Sequence, residues 1–230
     1  MPSRTLVAAL AAEAIGTFLF FLVGAGAVIM DARTGGEIGL LGIALAHGLV
    51  LAALGTAFAP ISGGQFNPVV TVALWLVGKV RTIEGIRYIV AQLVGAAAAG
   101  FALKLAFGGF EAGDSAWSIA GGGSPAVAAG LTQVTAIAIE AVLTAVLVYA
   151  VLLTAVDKRA PQMGAIFISG AIIADIMVGG PLTGAAMNPA RWFGPALALG
   201  DLSAAVVYIV GPLIGAVVAA LSVRYLFAER

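Results

Sequence analysis

Apolar residues fall in six long runs, at about 5–30, 38–59, 84–107, 126–156, 163–180 and 202–227. A helix needs about 20 apolar residues to cross a bilayer, and each run reaches that length, the fifth only just. Short polar breaks at 31–37, 79–84 and 157–162 and a Gly-rich stretch at 108–125 separate them. Two apolar pieces are left over, at about 67–78 and 188–198, and both begin at Asn-Pro. A dozen helical residues cover about 18 Å, half a bilayer, so these pieces are expected to be re-entrant half-helices.

The two pieces sit in "SGGQFNPVV" at 62–70 and "TGAAMNPAR" at 183–191. Proline suits the first position of a helix, and Asn is a strong cap just before it. Asn67-Pro68 and Asn188-Pro189 therefore each predict a helix start. The glycines ahead of them suit extended backbone, which is tolerated at membrane depth only against protein or a wet cavity.

The chain also repeats itself. "YIVAQLVGA" at 88–96 matches "YIVGPLIGA" at 208–216 in six of nine places, at an offset of 120. Asn67 and Asn188 are offset by 121, and "EAIGT" at 13–17 echoes "EAVLT" at 140–144. The expected plan is one transmembrane channel domain over 1–230, with repeats at about 5–107 and 126–228. Each repeat holds three spans and one half-helix. Three is odd, so the copies lie upside down relative to each other, with the site between them at the midplane. Inversion brings the half-helices tip to tip. Both tips carry the positive end of the helix dipole, which opposes a cation or proton, while the Asn67 and Asn188 amides can donate to water. The predicted fold class is an all-α membrane protein of six transmembrane helices and two re-entrant half-helices.

Composition agrees. The chain is 62% hydrophobic and 10% charged, with a mean hydropathy of +1.12, too little polarity to cover a soluble domain. The formal net charge is zero, which suggests no nucleic-acid partner. There is no cysteine and one histidine, so disulfides and thiolate sites are excluded and no metal or other cofactor is expected. No nucleophile–base pair is visible, so an enzyme is not expected. The first run is too long for a signal core and carries Glu13. With both termini cytoplasmic, Arg4, Lys79, Arg81, Arg87, Lys158, Arg159, Arg224 and Arg230 fall inside, against Arg33, Lys104 and Arg191 outside or in the outer half. The Ala- and Gly-rich chain is expected in a prokaryotic inner membrane.

The paired motifs "SGGQFNPVVT" at 62–71 and "GAAMNPARWFGPAL" at 184–197, with Glu13 and Glu140 in the first and fourth spans, resemble the major intrinsic protein family of aquaporins and aquaglyceroporins. The resemblance covers about 5–228. It implies six spans, two half-helices, a pore in every subunit and a homotetramer. The pore centre would be Asn67, Pro68, Val69, Asn188, Pro189 and Ala190. Glu13 and Glu140 would hold backbone N–H groups of the re-entrant loops, the role favoured because bare buried backbone is costly; a proton relay in a coupled transporter is the alternative. Departures are Val69 in place of Ala, Gln65 in place of a frequent His, and Trp192 after Arg191, for which the residues alone supply no account.

Carried over by spacing from the two Asn residues, the family's selectivity filter falls on His47, Ile176, Ala185 and Arg191. A lone His in an apolar helix is commonly a packing residue, but an ionisable group at this position is expected to line the pore. Arg191 would donate to solute and repel cations. The ring is similar to that of the plant vacuolar intrinsic proteins, which pass ammonia as well as water. Those add a second histidine on the third loop, and 108–125 contains none. His47 is expected to offer a donor and an acceptor opposite an apolar Ile176. The expected function is a passive channel for water, with ammonia as a second solute, urea or hydrogen peroxide as further candidates, and glycerol slow. A glycerol or urea facilitator, a coupled transporter and an adhesive protein with a vestigial pore are the alternatives. Asp175 faces either the outer vestibule or a partner inside the protein. Gly95, Gly100, Gly164, Gly170, Gly211 and Gly215 are expected at close helix contacts.

Overall fold

The computed structural model describes residues 5–108, 116–157, 159–160 and 163–227. In chain order its helices are α1 (Leu6–Arg33), α2 (Gly39–Phe58), α3 (Pro68–Leu76), α4 (Thr82–Phe107), α5 (Ala116–Ile119), α6 (Gln133–Val151), α7 (Gly164–Thr183), α8 (Pro189–Leu199) and α9 (Ala205–Ser222). Helices α6 and α9 each run on into a π-helical turn, Leu152–Val156 and Val223–Phe227. Six helices are long and apolar enough to cross a membrane, and α3 and α8 are the half-length pieces. The described residues contain no strand. Arg4, Lys158 and Arg230, counted above as inside charges, lie outside the described residues.

Two boundaries differ from the hydropathy pattern. The fourth run was expected from 126, but α6 starts at Gln133, because Thr132 caps it by accepting from the Thr135 N–H at 3.2 Å. The apolar stretch before it is not helical; the Ala128 N–H instead donates to the Leu182 carbonyl at 2.8 Å. The Gly-rich break, for its part, holds the short helix α5, whose Trp117 is buried.

Packing between spans depends on missing side chains. A β-carbon at Gly95 would strike the Ala14 carbonyl, and one at Gly215 the Ala141 carbonyl, so α4 closes on α1 as α9 closes on α6. Gly100 and Gly194 do the same between α4 and α8. Gly170 departs from the expectation: a β-carbon there meets nothing within 4 Å. Large apolar side chains such as Val7, Leu105 and Val178 point outward, the arrangement that suits a lipid solvent.

Candidate functional site

The site is built on two buried carboxylates. Glu13 on α1 is fully buried. Its Oε1 accepts from the Ser62 hydroxyl at 2.6 Å and the Gln65 N–H at 3.0 Å; its Oε2 accepts from the Phe66 N–H at 2.9 Å and Gln92 Nε2 at 2.8 Å. Glu140 on α6 does the same for the second loop. It accepts from the Thr183 hydroxyl at 2.7 Å, the Ala186 N–H at 2.9 Å and the Met187 N–H at 2.7 Å. Backbone N–H groups at this depth have no water to satisfy them, and an ionised carboxylate is the strongest acceptor available. Phe66 and Met187 take the left-handed conformation, at φ 48° and 51°. Non-glycine residues hold that conformation at a cost, which the carboxylate bonds to their N–H groups offset.

One residue further on, each Asn caps its half-helix. Asn67 Oδ1 accepts from the Val69 N–H at 3.0 Å, and Asn188 Oδ1 from the Ala190 N–H at 3.0 Å. The amide nitrogens cross between the loops. Asn67 Nδ2 donates to the Met187 carbonyl and Asn188 Nδ2 to the Phe66 carbonyl, each at 3.0 Å. The N-terminal tips of α3 and α8 are thus tied to each other. The second hydrogen of each amide has no protein acceptor, and both Asn residues line a cavity of about 330 Å³. Pro68, Val69, Pro189 and Ala190 are buried in the first turns of α3 and α8 and do not form its wall.

The cavity wall also includes His47, Ile176, Ala185 and Arg191, and extends along α2 to Gly55 and Ala59. Arg191 Nε donates to His47 Nε2 at 3.1 Å, and its Nη1 to the Gly123 carbonyl at 2.7 Å. Guanidinium nitrogens only donate, so His47 Nε2 must be the acceptor. The ring hydrogen then sits on Nδ1, which donates to the Ile43 carbonyl at 2.9 Å. This corrects the expectation that His47 presents a donor and an acceptor to solute: both ring nitrogens are already engaged, and the histidine positions Arg191. Gly24 makes room for the ring, since a β-carbon there would lie 2.6 Å from it.

Three participants were missed in the sequence. Gly123 holds Arg191 through its carbonyl, at φ 72° and so close to the Ala25 carbonyl that a β-carbon would clash at 2.6 Å. Lys104 Nζ donates to the Ala198 carbonyl at 2.8 Å, and Arg224 Nη1 to the Leu76 carbonyl. These two cations sit at the C-terminal ends of α8 and α3, where the helix dipole is negative. They are 120 residues apart, the offset of the tyrosine segments, so the repeat already contained the signal. Trp192 gains an account: it is buried and stacks on Tyr208, with ring centroids 6.0 Å apart. Asp175 is buried, does not line the cavity, and its Oδ2 has no hydrogen-bond partner.

The sequence profile of the major intrinsic protein family matches residues 1–223. The chain belongs to the major intrinsic protein family. Within it, aquaporin TIP2-1 of Arabidopsis thaliana is 41% identical over 212 residues, covering 89% of this chain and 81% of that one. Aquaporin TIP4-4 of Zea mays is 39% identical over 233 residues, covering 97% and 88%. The crystal structure of the aquaglyceroporin from Plasmodium falciparum superposes with a TM-score of 0.87 over 97% of this chain and 98% of that one, at 23% identity, a likeness of fold. The major intrinsic proteins are membrane channels, and this chain is an integral membrane protein among them. The two relatives named are from plants and lend nothing to the expected prokaryotic inner membrane.

Proposed function

We propose that this major intrinsic protein is a passive channel for water, and that neutral ammonia takes the same path. The observation that carries the reading is the pair of Asn amides at the joined tips of α3 and α8, each with one N–H left for the cavity. A water at that point accepts from both amides, turning its lone pairs to the tips and its hydrogens away. A proton relay along the file needs the opposite donor–acceptor order on one side of that water. The positive ends of both helix dipoles oppose any cation.

His47, Ile176, Ala185 and Arg191 form the selectivity filter in this reading. Arg191 keeps Nη2 for passing solute, because Nε and Nη1 are engaged. Ile176 supplies an apolar wall that a strict water filter lacks, which suits ammonia and leaves urea and hydrogen peroxide as further solutes. Glu13 and Glu140 direct their oxygens to loop donors, which supports bracing over a proton relay. The family resemblance supports a homotetramer with a pore in each subunit, and the inside charges support cytoplasmic termini. The Ala- and Gly-rich sequence is what supports a prokaryotic inner membrane.

Stopped-flow flux in proteoliposomes tests the reading, comparing water with ammonia for the native protein and His47→Phe. Both solutes should pass. The substitution should cut ammonia more than water, because it releases Arg191 into the narrowest point. Glycerol should enter no faster than an impermeant sugar. Water flux alone, unchanged by His47→Phe, would defeat both the ammonia path and the assigned filter.

A further inference from the structure

We propose that Gln65 is a specificity-determining residue, its amide NH2 turned into the channel by a hydrogen-bond chain from Glu13 through Gln92 and Thr71. The inference rests on the channel reading above and adds a second selective station to it. Gln65 is half-buried and lines the cavity two residues from Asn67.

The direction of its amide follows from the chain. Glu13 accepts at both oxygens, so the group Gln92 turns toward it at 2.8 Å must be its nitrogen. The second hydrogen of Gln92 Nε2 goes to Thr71 Oγ1 at 3.0 Å. Thr71 Oγ1 then keeps one hydrogen, with two acceptors in reach: the Asn67 carbonyl at 3.2 Å and the Gln65 amide at 2.6 Å. The Gln65 contact is the shorter. That length fits an O–H···O bond, at about 2.5–3.0 Å, and falls short of N–H···O bonds, at about 2.7–3.2 Å. Thr71 therefore donates and Gln65 Oε1 accepts, which leaves Gln65 Nε2 without a protein partner on a residue that borders both the channel cavity and the hollow beside Ser62 and Tyr88.

The consequence concerns the whole pore. Five polar side chains line the cavity: His47, Gln65, Asn67, Asn188 and Arg191. His47 has no free ring nitrogen. Of the other four, Asn67 and Asn188 spend Oδ1 on their helix caps, Gln65 Oε1 is taken by Thr71 and Arg191 has no acceptor, so what remains unengaged is N–H. Water and ammonia carry lone pairs that satisfy such donors. Ammonium and its methyl derivative carry none, so they meet no side-chain acceptor anywhere along the wall.

The test uses the full-length protein in proteoliposomes, with water and methylammonium as probes. Gln65→Met keeps length and removes the donor; water permeability should fall about fivefold, the worth of one hydrogen bond. Thr71→Val removes the hydroxyl that orients the amide, so the Gln65 carbonyl can turn to the channel. Methylammonium uptake should then rise about fivefold by the same measure, and Thr71→Ser should stay at the native level. Native water flux in Gln65→Met, or identical uptake in Thr71→Val and Thr71→Ser, overturns the proposal. If Thr71→Val fails to fold, Gln65→Met decides alone. A native protein that passes no water would instead defeat the channel reading, which separates the two failures.

Discussion

The loop at 62–71 and the loop at 183–192 perform the same backbone task with different chemistry. In both, a hydroxyl and two consecutive N–H groups bind one carboxylate, an Asn caps the half-helix, and a tyrosine hydroxyl donates to the first carbonyl. Tyr88 reaches Ser62 at 3.2 Å and Tyr208 reaches Thr183 at 2.8 Å. The side chains then diverge. The first loop surrounds its half-helix with Gln65, Thr71 and Gln92, a polar chain. At the offsets of the repeat, the second has Ala186, Trp192 and Pro212, and Trp192 stacks on Tyr208 instead. Where the first has Val70 on the cavity wall, the second has Arg191. The frame is shared because buried backbone must be satisfied in the same way in both copies. The polar lining is free to differ, and at these positions it does.

The largest expected effect comes from removing that shared frame. Glu13→Ala strands four donors and Glu140→Ala three. Each stranded buried donor costs about 1–3 kcal/mol, so both variants should lose water flux and unfold at markedly lower temperature in detergent, Glu13→Ala more so. Thermal unfolding followed by circular dichroism ranks them. A milder loss in Glu13→Ala than in Glu140→Ala would mean that the Gln92 bond adds nothing to the first brace.

Next in size is the change that makes the second tip resemble the first. Arg191→Val gives it the residue found at 70. The guanidinium is the one fixed charge among the side chains of the cavity wall, and two like charges about 4 Å apart near a protein surface repel by about 4 kcal/mol. Methylammonium uptake should rise by about tenfold or more, while water flux changes far less, since the Asn pair remains. Unchanged methylammonium exclusion in this variant would shift the whole cation barrier onto the joined helix tips.

Much of this was legible from residues. The Asn-Pro pairs marked both half-helices, because Pro at the first helical position and Asn before it have few other uses in an apolar run. The 120-residue offset marked the tyrosine segments as equivalents. What stayed hidden was carried by backbone or by the direction of a hydrogen. Gly123 acts through a carbonyl, which every residue has, so no side chain announces it. His47 was readable as a residue of the cavity wall, but which of its nitrogens is occupied depends on where Arg191 and Ile43 lie. Lys104 and Arg224 were counted as charges on opposite sides of the membrane, as inversion requires of one position in two copies, but the count did not show which carbonyl each one meets.

Those two cations supply the smallest predicted effect and a direct test of the symmetry. Each neutralises the last carbonyls of the half-helix from the other repeat, a contribution of about 0.3–1 kcal/mol at an exposed helix end. The Lys104 contact is partly buried and the Arg224 contact exposed, so solvent screens the second more. Lys104→Met should lower the unfolding temperature by about 2–4 °C and Arg224→Met by less, for a chain of this length. Water flux in both should stay native, because neither side chain reaches the cavity wall. A drop in flux for Lys104→Met without loss of stability would mean that the far end of α8 sets the position of Arg191, and that the second half-helix is held less firmly than its brace at Glu140 implies.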